Sequence, residues 1–269
     1  MRIFKKIKII FTPKYFIKGI KNPRRAFEFL KKDLVFEPEE FIFKITDLSC
    51  KQIKDYAEEI KRNKEFNNYI WGKYNQFERY LIKTKKALNA GGTSKEVGII
   101  LYATMRLLKP EIVLETGVAN GISSAYILLA LTKNQKGKLI SIDLPYEIEK
   151  EYAPDYIRNE GKTFIPRGKQ PGWLIPENIK KRWELIFGRS SEKLPEVLNK
   201  LRKIDIFIHD SEHSYKNMIW EYTTVWPFLN KGGILFSHDI NWNLAFDDFS
   251  NKVKRKGVKY REEFGGIKK

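Results

Sequence analysis

The hydrophobic pattern of the 269-residue chain changes its period once, near Pro110. Before that point apolar residues recur three and four apart. In "SCKQIKDYAEEIKR" they fall at Ile53, Tyr56, Ala57 and Ile60 behind a Ser49–Gln52 capping pair, and this spacing predicts a helix. A second helical pattern runs through "YIWGKYNQFERYLIKTKKAL", and a third begins near Ser94 and stops before Pro110. Ahead of them, Pro13 and Pro23 divide a basic and apolar stretch into short amphipathic pieces. Beyond Pro110 five short runs rich in β-branched residues, "IVLETG", "LISIDL", "WELIFG", "IDIFIHD" and "GGILFSHD", alternate with helical stretches. Each run closes on a polar residue or glycine at or one position before its end, as buried parallel strands do. The alternation predicts an α/β fold, a doubly wound and mostly parallel Rossmann-like sheet over residues 91–269, preceded by a basic, mainly helical extension over residues 1–90. In such sheets ligands bind beyond the carboxyl ends of the strands, where strand order reverses.

Composition adds a location and a class of partner. Hydrophobic residues at 42% and aromatics at 14% are enough for a packed core and argue against disorder. The net charge of +18 is unevenly placed. Residues 1–32 hold eleven Lys and Arg against Glu28 alone, and the tail from Asn251 holds eight against Glu262 and Glu263. Charge gathered at two ends is either an attachment surface for phosphates or the solvated surface of a lysine-rich protein. Peripheral contact of residues 1–32 with an anionic membrane is the leading expectation on that side, ahead of nucleic acid. The lone Cys50 cannot form an internal disulfide and no CxxC pair exists, so a reducing, cytoplasmic setting is expected. Lys6, Lys8 and Lys14 interrupt the apolar start of the chain, and no apolar run reaches the roughly 18 residues of a membrane span. The oligomeric state is left open.

The chemistry gathers at the strand ends. In "LETGVANGIS" the first run closes on Glu115, and Gly117 and Gly121 permit a tight turn and a close backbone approach before the next helix, over which a nucleotide-like ligand fits. The spacing is E-x-G-x-x-x-G, so the G-x-G-x-x-G of a nicotinamide enzyme is missing. Asp143 ends the second run, where an acid accepts hydrogen bonds from ribose hydroxyls. All three histidines, His209, His213 and His238, fall at the ends of the fourth and fifth runs. Beside them stand Asp210, three residues before His213, and Asp239. An imidazole with an ordinary pKa of about 6.5 suits a general base near neutral pH. Two carboxylates at neighbouring strand ends suit a shared divalent cation that binds an acceptor oxygen. Bland readings remain beside these: a loop cap for Asp210, a core position for His209, a cofactor contact without metal for Asp239.

On these motifs the chain resembles the class I S-adenosylmethionine-dependent methyltransferases, and from Thr93 to Asn243 it is similar to their sugar and macrocin O-methyltransferase-like branch, of the methyltransferase 24 type. The resemblance implies that Glu115, Gly117 and Gly121 line the methionine side of the cofactor and that Asp143 holds the ribose. It implies His213 as the base, Asp210 as both a catalytic and a cofactor-side residue, and Asp210 and Asp239 as ligands of magnesium or another divalent cation. His238 stands where relatives often carry another acid, and a histidine ligand tilts a site toward transition metals. Ser190, after the third run, is placed to reach the adenine region, although serine there is also ordinary turn chemistry. The insertion from Pro145 to Lys181, with Tyr152, Tyr156 and Trp173, is placed as a lid or acceptor wall or as a packed insertion.

The implied activity is O-methylation of a sugar or other small hydroxylated, glycan-like acceptor. "DLPY" at Asp143–Tyr146 follows the wrong strand for an amino-methyltransferase motif. The alternatives are a nucleic-acid methyltransferase, which the charge favours, and a non-catalytic membrane- or partner-binding protein with a degenerate cofactor fold. Past Asn243 the sequence predicts a helix and at most one clear strand, so closure of the sheet edge by a hairpin is not evident.

Overall fold

Five strands coincide with the five predicted runs: β1 (Ile112–Thr116), β2 (Lys138–Asp143), β3 (Trp183–Phe187), β4 (Ile204–His209) and β5 (Leu229–His238). A computed structural model describes residues 37–84, 92–144, 165–166 and 168–269. The expectations for residues 1–36, membrane contact included, and for Tyr152 and Tyr156 lie outside these residues. The strands pair in the order β3-β2-β1-β4-β5-β7-β6, with β6 (Val258–Tyr260) and β7 (Phe264–Lys268) completing the sheet. All pairs from β3 to β5 are parallel, and β7 runs antiparallel to both β5 and β6. Order therefore reverses between β1 and β4, which sets the ligand crevice over their carboxyl ends.

The closing hairpin is complete, where the hydrophobic pattern predicts at most one clear strand. Only three residues form β6, too few for a period, and the "FGGIK" of β7 has glycines at two of its five positions. Those glycines are needed because side chains press on the strand: a Cβ on Gly265 would lie 2.5 Å from the Phe246 ring, and one on Gly266 would lie 2.6 Å from Ile45. A strand built to be covered closely has little hydrophobic pattern of its own.

Helices cover both faces. The helices α1 (Pro38–Thr46), α2 (Cys50–Arg62), α3 (Lys64–Lys83), α4 (Lys95–Leu108) and α5 (Ile122–Asn134) come first in the chain, interleaved with β1 after α4. The serine before α4, Ser94, accepts from Val97 N at 3.3 Å as a cap should, whereas Ser49 starts α2 at the predicted place without a side-chain cap bond. Phe41 of α1 packs on Phe236, Tyr260 and Phe264, with ring centroids 5.8 to 6.4 Å apart. Glu59 of α2 pairs with Arg106 of α4 at 3.1 Å and Lys133 of α5 at 2.8 Å. Residues Pro38–Lys269 thus form one compact unit, with α1–α3 packed in it.

On the opposite face, α6 (Ser190–Leu201), α7 (Tyr215–Val225) and α8 (Ala245–Lys252) bury Leu198, Met218, Tyr222 and Phe249 against Leu114, Phe207, Leu235 and Ile267 of the strands. Each such side chain contributes roughly 1.5–3 kcal/mol of burial, so the sheet is a rigid base for whatever its ends carry. Part of the basic tail serves this packing. Lys268 donates to Thr46 O at 3.0 Å, Lys269 to Trp226 O at 2.6 Å, and Lys259 pairs with Asp247 at 2.7 Å. No helix among the described residues is long and apolar enough to cross a membrane.

Candidate functional site

The turn from β1 into α5 is held open by three left-handed residues, Gly117 (φ 83°), Ala119 (φ 49°) and Gly121 (φ 84°). A Cβ on Gly117 would stand 2.0 Å from the carbonyl oxygen of Asp210, and one on Gly121 would stand 2.6 Å from Gly172 Cα. Both glycines therefore let the chain approach itself: Gly117 admits the loop after β4, and Gly121 admits a segment of the insertion. That segment is anchored, with Gly172 N donating to Ala119 O at 2.8 Å and Trp173 Nε1 to Asn120 Oδ1 at 2.7 Å. Trp173 also meets Phe77 of α3 edge-on at 5.8 Å. The described part of the insertion is thus packed beside the turn, while Gly117 and Ala119 keep open surface.

The two acids of this half behave differently. Glu115 has no exposed surface and accepts hydrogen bonds from Ser123 Oγ, Ser124 Oγ and Ser141 Oγ at 2.8, 2.7 and 2.8 Å. Burial outweighs the three hydroxyls and pushes its carboxyl up to about 7. It ties β1, β2 and α5 together from within, beneath the turn. Asp143 is partly exposed at the end of β2, and its Oδ2 accepts from the amides of Val118 and Ala119 at 2.8 and 2.7 Å. Burial raises it to about 6 against those amides. A nucleoside fits this half: Gly117, Ala119, Asp143 and Leu144 leave a partly open surface at the switch point, with an acid at its rim.

The other half lies over β4 and β5, where Asp210, His213 and Asp239 offer one ligand atom each, all within 4.8 Å of one another. His213 Nε2 stands 3.6 Å from Asp210 Oδ1 and 3.4 Å from Asp239 Oδ2, and His238 Nε2 stands 3.9 Å from Asp210 Oδ2. None of these contacts forms a hydrogen bond, and the Nε2 atoms of His209, His213 and His238 are all buried without a hydrogen-bond partner. Burial raises the Asp210 carboxyl, but the imidazoles of His238, His213 and His209 outweigh it and hold the group below the usual carboxylate range. Burial lowers His213, yet facing Asp210 and Asp239 leaves it above the ordinary imidazole value. For His238 burial wins and its value falls; for Asp239 burial wins and its value rises. The donor set that converges, one carboxylate oxygen each from Asp210 and Asp239 and one nitrogen from His213, fits a divalent cation.

Behind this cluster lies a buried pair that the hydrophobic pattern alone does not single out. Glu221 of α7 is fully buried, stands 2.8 Å from His209 Nδ1, and accepts from Thr116 Oγ1 at 2.6 Å and Ser211 Oγ at 2.7 Å. Its signal is nonetheless in the sequence, because Met218, Glu221, Tyr222 and Val225 share the buried stripe of α7 and an acid has no place there unpaired. Ser190, expected near adenine, starts α6, and its hydroxyl helps to hold the Glu221 carboxyl down. At the rim, Trp242 is half exposed and packs against the His213 ring at 5.4 Å.

Residues 114–240 match a family model described as a methyltransferase domain. No curated protein matches the sequence. Among solved structures the fold is similar to that of the SAH-bound methyltransferase PaMTH1 of Podospora anserina, with a TM-score of 0.52 and 13% identity over 74% of this chain and 87% of that one. An O-methyltransferase from Bacillus cereus in complex with SAH gives a TM-score of 0.48 at 12% identity over 74% and 99% of the two chains. The family match runs from β1 to just past β5, the span that carries Glu115, Asp143, Asp210, His213 and Asp239. Residues 114–240 thus match a methyltransferase domain, and the chain has the fold of an SAH-bound methyltransferase.

Proposed function

We propose that the chain methylates a hydroxyl oxygen of a sugar or other small hydroxylated metabolite, with a divalent cation at Asp210 and Asp239 and with His213 as general base. The observation that carries this reading is the convergence of the His213 Nε2 on those two carboxylates, 3.6 and 3.4 Å away, over strands adjoining the cofactor turn. S-adenosylmethionine supplies the methyl group as an electrophile, and Asp143 with the Gly117–Ala119 turn is the surface that would hold it. The SAH bound by the Podospora anserina protein of the same fold supports that assignment. A cation bound by Asp210 and Asp239 would lower the pKa of a coordinated hydroxyl.

The remaining work falls to the chain's own groups. Methyl transfer from a sulfonium needs alignment of two atoms and exclusion of water, an advantage of up to roughly 7–11 kcal/mol in effective concentration. His213, clamped between two carboxylates and Trp242, is in place to take the hydroxyl proton at Nε2. Asp210 and Asp239 then stabilise the imidazolium. Half-exposed Trp242 offers a flat apolar face next to the base, suited to the ring of a hydroxylated acceptor. All of these groups lie within residues 91–269, the expected catalytic domain.

The test is transfer of labelled methyl from S-adenosylmethionine to a panel of glycosides and small polyols, with amines and RNA as controls. Label on oxygen, lost in His213→Ala while cofactor affinity is kept, supports the reading. Label on nitrogen or RNA, or unchanged turnover in His213→Ala, overturns it.

A further inference from the structure

We propose that the end of the sheet opposite the site is an attachment face for an anionic lipid bilayer. Neither cofactor nor cation enters into it.

The topology sorts the charge. Six strands carry an exposed lysine at their start or within three residues of it: Lys109 for β1, Lys138 for β2, Lys181 for β3, Lys203 for β4, Lys231 for β5 and Lys256 for β6. The first five strands are parallel, and β6 points the same way because β7 runs antiparallel to both β5 and β6. All six starts therefore lie at one end of the sheet, where β7 also arrives with Lys268 and Lys269. At the other end β2 closes on Asp143, and β4 and β5 run into Asp210 and Asp239. The molecule has a cationic end and an acidic end.

The cationic end is not neutralised where it stands. Its acids are already committed: Asp205 to the amides of Glu111 and Ile112 at 2.7 and 3.0 Å, Glu111 to Lys136 at 3.2 Å, and Glu184 to Lys138 at 3.9 Å. Among the described residues Lys109, Lys181, Lys203, Lys231 and Lys256 have no acidic partner. Neighbouring charges also bear on one another, since burial and then the charge of Lys203 lower the Lys269 ammonium. In strand order the lysines form a row about 30 Å long at roughly 4.8 Å per strand. Like charges held in such a row repel, and a negative surface laid against them relieves it.

The make-up of this end favours lipid over nucleic acid. The large apolar side chains exposed among the described residues lie elsewhere. Phe187, Tyr215, Trp242 and Leu244 follow strand ends on the side of the site, and Phe43, Tyr80 and Ile82 belong to α1 and α3. Unpaired bases therefore find no ring to stack on at the strand starts. Headgroups form a diffuse layer of charge that asks only for lysines, each worth roughly fivefold in affinity near an anionic surface. The same surface repels Asp143, Asp210 and Asp239, so attraction at one end and repulsion at the other orient the molecule with its site away from the lipid.

The experiment floats the full chain with vesicles of phosphatidylglycerol and phosphatidylcholine in equal parts, or of phosphatidylcholine alone, over a series of salt concentrations. The parent should float with the anionic vesicles only, and salt should release it. Lys203→Glu, Lys231→Glu and Lys256→Glu combined should weaken binding at least roughly a hundredfold. Lys64→Glu, Arg79→Glu and Lys83→Glu on α3, which change the net charge equally, should weaken it at most roughly tenfold. Thermal melts matching the parent's certify that both variants are folded. A parent that does not float overturns the proposal. So does a first variant that floats like the parent, which would assign attachment to residues 1–32, or an equal loss in both variants, which would make net charge the cause. Duplex RNA bound more tightly than the vesicles at the same salt overturns the assignment to lipid. Each of these results leaves the methyl-transfer reading untouched.

Discussion

The carboxylate of Glu221 lies 2.8 Å from Nδ1 of His209, and neither side chain has any exposed surface. Burial pushes Glu221 up, but His209 and the hydroxyls around it win and bring it down to about 2. An ionised carboxylate only accepts, so Nδ1 of His209 carries the proton, and the His209 ring meets that of His213 edge-on with centroids 5.3 Å apart. The pair packs behind the Asp210–His213–Asp239 cluster through the His209 ring.

The lowered value makes the pair a source of stability at neutral pH. A depressed carboxyl contributes fully above its unfolded value of about 4.5 and loses that contribution as pH falls through about 2. Glu221→Gln should cost on the order of 3 kcal/mol at pH 7 and much less at pH 2, as read by urea unfolding at the two pH values. An equal cost at both would show that the carboxylate charge is not what matters.

Glu115 has the opposite sign. Its carboxyl is raised from 4.5 to about 7, so the folded state holds a proton that the unfolded chain has lost, and stability drains away as pH rises through that window. Glu115→Gln, which mimics the protonated form among three serine hydroxyls, should flatten the stability profile between pH 4.5 and 7. The difference from the parent should reach on the order of 3 kcal/mol by about pH 8. A profile parallel to the parent's would mean that Glu115 is ionised throughout.

Two glycines should respond in opposite ways to the same methyl group. Gly117→Ala forces a Cβ to within 2.0 Å of the Asp210 carbonyl at a φ of 83°, and should cost more than about 2 kcal/mol while displacing Asp210. Gly72, inside α3, has nothing within 4 Å of its Cβ position, so Gly72→Ala should stabilise by about 0.5–1 kcal/mol. Thermal melts of both variants, with cofactor affinity measured alongside, separate the two cases.

His213 should titrate above the ordinary imidazole value of 6.5 in the metal-free protein, because the carboxylates of Asp210 and Asp239 outweigh its burial. Imidazole proton shifts followed by NMR should show this, and Asp210→Asn should lower the value. A titration unmoved by that substitution would separate the base from its supposed partner.

What the sequence showed and what it hid divide along physical lines. The five buried parallel strands were legible because few arrangements other than a covered parallel sheet produce β-branched runs with polar ends, and those ends named Asp143, Asp210, His213 and Asp239. The hairpin was hidden because Gly265 and Gly266 replace hydrophobic pattern with close packing. Glycine spacing disclosed the turn but not its use, since only the folded chain shows that Gly117 and Gly121 make room for Asp210 and Gly172. Serines were hardest. Ser123, Ser124 and Ser141 satisfy a buried acid from two different elements, a partnership that no local pattern encodes.

Calorimetric titration of the parent and of Asp143→Ala with S-adenosylmethionine tests the central claim most directly. The account predicts saturable one-site binding by the parent and at least roughly tenfold weaker binding by a variant that still melts cooperatively. A parent that does not bind, or a variant that binds as well as the parent, would contradict it.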